Sequence, residues 1–280
     1  MDKKIKSINF FYRSENKKAV FWKKKIILWL KKNYPLLKVT NKKPGAIIVL
    51  GGDGTVLTAT RHYQKLNTLI LGLNLGQVGF LTAVREEKNF FPALEKFLKG
   101  DYLIVEKMTL QAKIKRNKKI IFETFALNDI VVTNPLGLVK IEVMITGYPF
   151  QHVQGTGILV ATPTGSTAYN LSAHGPIVSP DINCLIVTEI LDHNIPTPSI
   201  VLKPEETVSL KISSFREHNL LAMKSTGKKA EVIMVADGQK IFPLVAKDVI
   251  QISRLPYSVK FAEIEEKYFL KSLREKFAFD

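Results

Sequence analysis

Five consecutive apolar residues, Ala46-Ile47-Ile48-Val49-Leu50, run without a polar break into Gly51-Gly52-Asp53-Gly54-Thr55. A strand with no polar alternation has no solvent face, so it belongs in a parallel sheet covered on both sides. Such a sheet needs helices packed on it, which commits this part of the chain to an α/β layer. The glycines then stand where a buried strand stops and a helix begins. They let backbone approach a ligand, and their amide hydrogens, aided by the positive end of a helix, suit phosphate oxygens. Gly51, Gly52, Gly54 and Thr55 are therefore the candidate phosphate cradle. Asp53 places a negative charge among groups suited to anions, which is costly unless it meets a magnesium ion or takes up a proton in a reaction. The plainer alternative is a tight turn with Asp53 as helix cap. No lysine follows the last glycine, so this is not a Walker loop.

The neighbouring pattern agrees with that layer. Ile5 to Tyr12 reads as a strand, and Ser14 as the cap of a helix whose Ala19, Trp22, Ile26 and Trp29 recur at helical spacing. A helix from Thr55 to Tyr63, a buried strand from Thr68 to Gly72 and a helix from Glu87 to Leu98 continue the alternation. Beyond Gly100-Asp101 the pattern changes. Tyr102–Lys115, Ile120–Thr133, Leu138–Thr146 and Val208–Ser213 are strand-like with polar turns between them, and Asp237-Gly238 is the strongest hairpin signal in the chain. The expected fold is an α/β N-terminal domain, a Rossmann-like parallel sheet, over residues 1–101. A mainly antiparallel all-β domain follows over 102–256. A segment over 257–280, with helical spacing from Phe261 to Phe277, packs back on one of them.

With 280 residues, 46% of them apolar, the chain can bury a full core. Of its net charge of +16, residues 1–43 supply +12, from 14 lysines and arginines against Asp2 and Glu15. So local an excess reads first as a solvated helix face and second as steering of an anionic substrate. Nucleic-acid binding comes last, because no recognition motif accompanies the charge. No apolar run approaches the roughly 20 residues of a membrane span, and the opening residues lack an export signal. The lone Cys184 excludes an intramolecular disulfide and fits a reducing cytoplasm. The five histidines show no metal-ligand spacing, and His193 reads as structural.

Two more strings narrow the chemistry: Ala126-Leu127-Asn128-Asp129, and Thr162-Pro163-Thr164-Gly165-Ser166-Thr167-Ala168-Tyr169-Asn170-Leu171-Ser172. The glycine loop alone also occurs in lipid kinases and phosphofructokinases. Together with these strings, with Gly79-Phe80-Leu81-Thr82, His174-Gly175-Pro176-Ile177, Asp237-Gly238-Gln239 and the closing Leu273-Arg274-Glu275-Lys276, the chain resembles the NAD kinases along nearly its whole length.

The resemblance implies transfer of the terminal phosphate of ATP, or of polyphosphate, to the 2′-hydroxyl of the adenosine ribose of NAD, with Mg²⁺ accompanying the ATP. By position Asp53 matches the general base, and Gly54 lies beside it on the substrate. Asn128 and Asp129 match the pair that holds the adenosine end, although the family commonly has glutamate where Asp129 stands. Thr164, Thr167, Ala168, Tyr169, Asn170 and Ser172 fall in the NAD-contacting stretch, while Gln239 and Phe80 are further contacts, Phe80 being equally suited to the core. The resemblance also implies NAD in a groove between the domains and a homodimer or homotetramer. There are departures. Thr156, in Gln154-Gly155-Thr156-Gly157, replaces an aspartate on the nicotinamide side. Thr58 replaces a residue that is often basic, and Thr197-Pro198-Ser199 replaces an Arg-Pro. They motivate an alternative, a catalytically weak NAD-binding regulator on the same fold.

Overall fold

The computed structural model describes residues 5–76, 79–192, 197–216 and 230–277. The chain divides into two compact units: Met1–Lys107 with Val259–Asp280, and Met108–Ser258.

The first unit starts with β1 (Ser7–Tyr12), α1 (Lys17–Asn33) and the short β2 (Lys38–Val39). Asn16, not Ser14, caps α1: its Oδ1 accepts the Ala19 N–H at 3.1 Å, whereas the Ser14 hydroxyl bonds Glu15. Ala19, Trp22, Ile26 and Leu30 are the buried positions of α1; Trp29 lies on its flank, and the lysines occupy the exposed side. Next come β3 (Ala46–Leu50), α2 (Asp53–Tyr63) and β4 (Leu69–Leu73). Every residue of β3 and β4 is buried, and the two pair in parallel from Ala46↔Leu69 to Leu50↔Leu73. α3 (Phe90–Lys99) ends at Gly100, whose φ of 85° closes the helix, and β5 (Leu103–Lys107) follows.

The second unit is antiparallel. It comprises β6 (Leu110–Arg116), β7 (Lys119–Ala126), β8 (Asp129–Thr133), β9 (Val139–Ile145), the fourteen-residue β10 (Tyr148–Ala161), a single helical turn α4 (Tyr169–Ser172), β11 (Leu185–Asp192), β12 (Ile200–Leu202), β13 (Val208–Phe215), β14 (Val232–Ala236), β15 (Lys240–Leu244) and β16 (Val249–Arg254). The main path runs β15-β14-β8-β10-β9-β13-β16-β6-β7. Its two ends approach where Phe122 stacks on Phe242 at 4.5 Å between centroids. The core lies inside, built on Ile130, Val132, Ile158, Val160, Leu210 and Ile252. Between β14 and β15 the turn takes φ of 52° at Asp237 and 64° at Gly238, and the Gln239 N–H returns to the Ala236 carbonyl at 3.0 Å. Two successive positive φ values are the conformation Asp-Gly favours, and the hairpin loop has three residues, Asp237 to Gln239, between the paired Ala236 and Lys240.

The chain then re-enters the first sheet as β17 (Val259–Glu263) and ends in α5 (Tyr268–Phe277). The sheet order is β2-β1-β3-β4-β17-β5, parallel except for β5. Two expectations are corrected here. Tyr102–Lys115 is not one strand: it splits into β5 and β6, in different sheets. Phe261 is not helical either, because Val259, Phe261 and Ala262 are buried beside β4 and β5, and the helix starts only at Tyr268.

Candidate functional site

In the first unit, α2 begins at Asp53 itself, and its cap is Gly52, which supplies no side chain. Asp53 is therefore not a helix cap. Its carboxylate turns away from the helix and accepts the N–H groups of Phe80 at 2.8 Å and Leu81 at 3.1 Å. Two donors from one segment fix both position and plane of the acid, which a free turn aspartate would lack. The segment is itself anchored. Gly79 carbonyl accepts from the Tyr268 hydroxyl at 3.3 Å, and Arg85 reaches the Tyr268 carbonyl, the Ser272 hydroxyl and Glu275 of α5. The glycine loop lies across from it: Gly51 N–H bonds Leu73 at 3.1 Å, and a Cβ on Gly51 would overlap the Thr55 side chain. Arg13, exposed at the end of β1, carries its guanidinium 4.0 Å from where a Gly54 Cβ would stand. Sequence reading missed Arg13, because it is one cation among fourteen in its segment. Thr58 bonds back to the Gly54 carbonyl at 2.9 Å. Phe80 is half-buried, 6.0 Å from the Phe269 ring, with the Lys276 ammonium 4.9 Å from its centroid.

In the second unit the two remaining strings form one structure. Thr162 donates its hydroxyl to the Leu127 carbonyl at 2.6 Å and its N–H to the Asn128 carbonyl at 2.8 Å. Gly165, N–H bonded to the same hydroxyl at 3.1 Å, comes so close to Asn128 that a Cβ would lie 2.8 Å from its Cα. Opposite, the Asp237 carboxylate accepts the N–H groups of Leu127 at 3.0 Å and Asn128 at 2.7 Å. Asn128 thus has its backbone held from both sides and its side chain half-exposed. The sequence marks Asp237 only as a turn residue; its clamp on the β7–β8 connection, more than a hundred residues away, leaves no local signal.

Thr164 and Thr167 are buried, Tyr169 is 42% exposed and Ser172 exposed, while Ala168 is intermediate. Asn170 is fully enclosed: its amide donates to Pro176 and accepts from Thr188 at 2.8 Å, so it holds the turn together from within. Thr156 is intermediate in β10, its carbonyl accepting from Asn134 and Thr133. Gln239 is exposed at the hairpin tip. His193 lies outside the described residues.

Asp129 is buried, and burial together with the neighbouring charge of Asp237 pushes its carboxyl up to about 7, against a bond from the Tyr169 backbone. Near neutrality it can therefore donate or accept a hydrogen bond to a hydroxyl. The shift has a stability consequence. A carboxyl raised in the folded state stabilises at low pH and loses that contribution as pH rises from about 4 to about 7, at no more than about 1.4 kcal/mol per pH unit. Asp129→Asn, which does not titrate, should therefore gain stability relative to the parent across that window and hold a constant difference above it. Urea melts at a series of pH values check this, and a difference flat from pH 4 to 8 would contradict it.

Among the described residues no group of three or more histidine, cysteine, aspartate or glutamate side chains could hold a metal ion, and no helix is long and apolar enough to cross a membrane. Asp53 is the sole carboxylate within the glycine loop Gly51–Thr55.

Residues 1–102 match the ATP-NAD kinase N-terminal domain family and residues 127–264 the ATP-NAD kinase C-terminal domain family. A NAD kinase of Symbiobacterium thermophilum is 35% identical over 232 residues, which is 82% of this chain and 77% of that one. Two crystal structures share the fold. Yeast NADH kinase complexed with NADH superposes with a TM-score of 0.86 at 19% identity, covering 100% of this chain and 89% of that one. An NAD kinase from Archaeoglobus fulgidus in complex with ATP gives 0.73 at 24% identity, covering 96% and 98%. With both domain families matched in order and a relative this similar over most of both lengths, the chain belongs to the NAD kinase family.

Proposed function

We propose that this protein is a phosphotransferase that moves the terminal phosphate of ATP to the 2′-hydroxyl of the adenosine ribose of NAD. The observation that carries the reading is the Asp53 carboxylate, pinned by the Phe80 and Leu81 amides beside an uncapped helix start. A carboxylate so held accepts the hydroxyl proton, while the loop of Gly51, Gly52, Gly54 and Thr55 receives the phosphates, with the N–H groups of Gly51 and Thr55 taken by the Leu73 and Gly52 carbonyls. Asn128 and Asp129 hold the ribose, and the turn from Thr164 to Asn170 presents Ala168, Tyr169 and Ser172 to the dinucleotide, with Phe80, Thr156 and Gln239 as further substrate contacts. The phosphates bring Mg²⁺ as part of the nucleotide substrate. When bound, the ion neutralises charge on the transferring group; the chain positions and deprotonates the hydroxyl. The reading also includes a homodimer or homotetramer working in the cytoplasm, without nucleic-acid or membrane partners, and sedimentation velocity checks the first point.

Purified protein incubated with ATP or polyphosphate as donor and NAD or NADH as acceptor tests the reaction. Magnesium-dependent NADP formation from ATP and NAD is expected, abolished by chelator. Tight NAD binding without product at high enzyme concentration would instead favour the regulator, the reading that Thr156 and Thr58 motivate. Arg13 predicts a separable effect. As a cation beside the phosphate cradle it contributes to ATP binding, so Arg13→Ala should raise the KM for ATP by about tenfold, consistent with about 1.5 kcal/mol for one charge-assisted contact. The KM for NAD should stay unchanged, and initial-rate kinetics in both substrates check the split.

A further inference from the structure

Lys107 is buried at the end of β5, yet lysine is almost never enclosed without a charge partner. It lines a narrow cavity with Phe80, Leu81, Glu263 and Tyr268. The roof of that cavity is therefore the segment whose amides hold Asp53. The ammonium stands 5.6 Å from the Phe261 ring centroid, and Glu263 of β17, which lines the same cavity, interacts with it electrostatically although the residue opposite Lys107 in the strand register is Val259. The groups around it are Glu263 on β17, Asp53 on α2 and the Tyr268 phenol on α5, whose ring carries the Arg85 guanidinium at 4.6 Å. Glu106 and Lys260, the next residues on the paired strands, face each other at 3.9 Å.

We propose that Lys107 is a positioning residue for Asp53: its enclosed ammonium supplies the fixed counter-charge that keeps the carboxylate seated on the Phe80 and Leu81 amides while the substrate phosphates approach. The inference rests on the kinase reading above. A triphosphate drawn to the glycine loop repels Asp53, and two neutral amides alone resist that push weakly. A cation locked behind them resists it throughout, because it cannot leave for solvent. Burial lowers the lysine's affinity for its proton, opposed by Glu263 first and Asp53 second. As pH rises through that lowered value the counter-charge is lost, so kcat should fall on the alkaline side.

The test compares the full-length parent, Lys107→Met, Lys107→Arg and Glu263→Gln for steady-state NADP formation, pH profile and thermal melting. Lys107→Met should lower kcat by about 10- to 100-fold, as expected for a misplaced catalytic group. Both KM values should stay within about twofold, while melting should fall, because the substitution leaves the Glu263 and Asp53 carboxylates without their cation. Lys107→Arg should recover most of the kcat and carry activity to higher pH, since guanidinium does not deprotonate. Glu263→Gln removes the anion that most favours the charged lysine, so the alkaline limb of kcat should move to lower pH. Equal kcat in the parent and Lys107→Met, or a loss that arginine does not rescue, would overturn the proposal while leaving the kinase reading intact. If Lys107→Met fails to fold, the arginine variant's alkaline limb decides, and an unshifted limb overturns it. A parent that makes no NADP removes the underlying reading instead.

Discussion

Asp53→Asn should lower the kcat for NADP formation by about 10² to 10⁴, the usual contribution of a positioned general base. The substitution keeps one oxygen to accept from Phe80 or Leu81 and turns an amide nitrogen toward the other N–H. Unmatched donors of that kind cost about 1–3 kcal/mol, so the variant should fold and melt somewhat lower. Its KM for NAD should change little, because ribose and nicotinamide contacts are assigned to other residues. Stopped assays with purified variant, alongside circular dichroism melts, separate the two effects. Full activity in Asp53→Asn would remove Asp53 from the chemistry.

Gly79→Ala should be nearly as damaging without touching an acid. A Cβ at Gly79 would lie 2.5 Å from the Asp53 Cγ and 2.6 Å from its Oδ2, overlapping the carboxylate. Something must give, and Asp53 at the helix start is the freer partner, since the Gly79 segment is tied to Tyr268 of α5. A displacement on the order of 1 Å costs about 100-fold in rate. Gly76→Ala serves as the control: among the described residues its Cβ would meet only the Asn74 side chain at 3.8 Å, an ordinary contact, and its activity should stay near that of the parent. If Gly79→Ala and Gly76→Ala behave alike, close approach to Asp53 is not what glycine provides at position 79.

The parts of this molecule legible in its sequence are those set by local physics. β3 and β4 could be read because burial on both faces leaves a continuous apolar run, and the Asp237-Gly238 hairpin because few residues accept two successive left-handed conformations. The glycine loop was legible as the break between β3 and α2, yet not the true start of α2, since three glycines in four positions look like loop and the helix nonetheless begins at Asp53. β17 was hidden because its short Val259-Lys260-Phe261-Ala262-Glu263 run leads into charged residues that continue a helical spacing. Asn128-Asp129 resembles any β-turn pair, and only family resemblance marked it. The clamps that give these residues their geometry are long-range: Phe80 and Leu81 on Asp53, Asp237 on Asn128, Gly165 against the Asn128 backbone. Lys107 carries no local mark at all; among so many lysines only the fold reveals that this one is enclosed.

The most direct measurement follows the phosphate itself. Enzyme in excess over NAD is mixed with magnesium and γ-³²P-labelled ATP, and the product is isolated and its phosphate position assigned by ³¹P NMR. The account predicts one labelled phosphate per NAD, on the 2′-oxygen of the adenosine ribose. Label appearing only as inorganic phosphate, with NAD recovered unchanged, would contradict it.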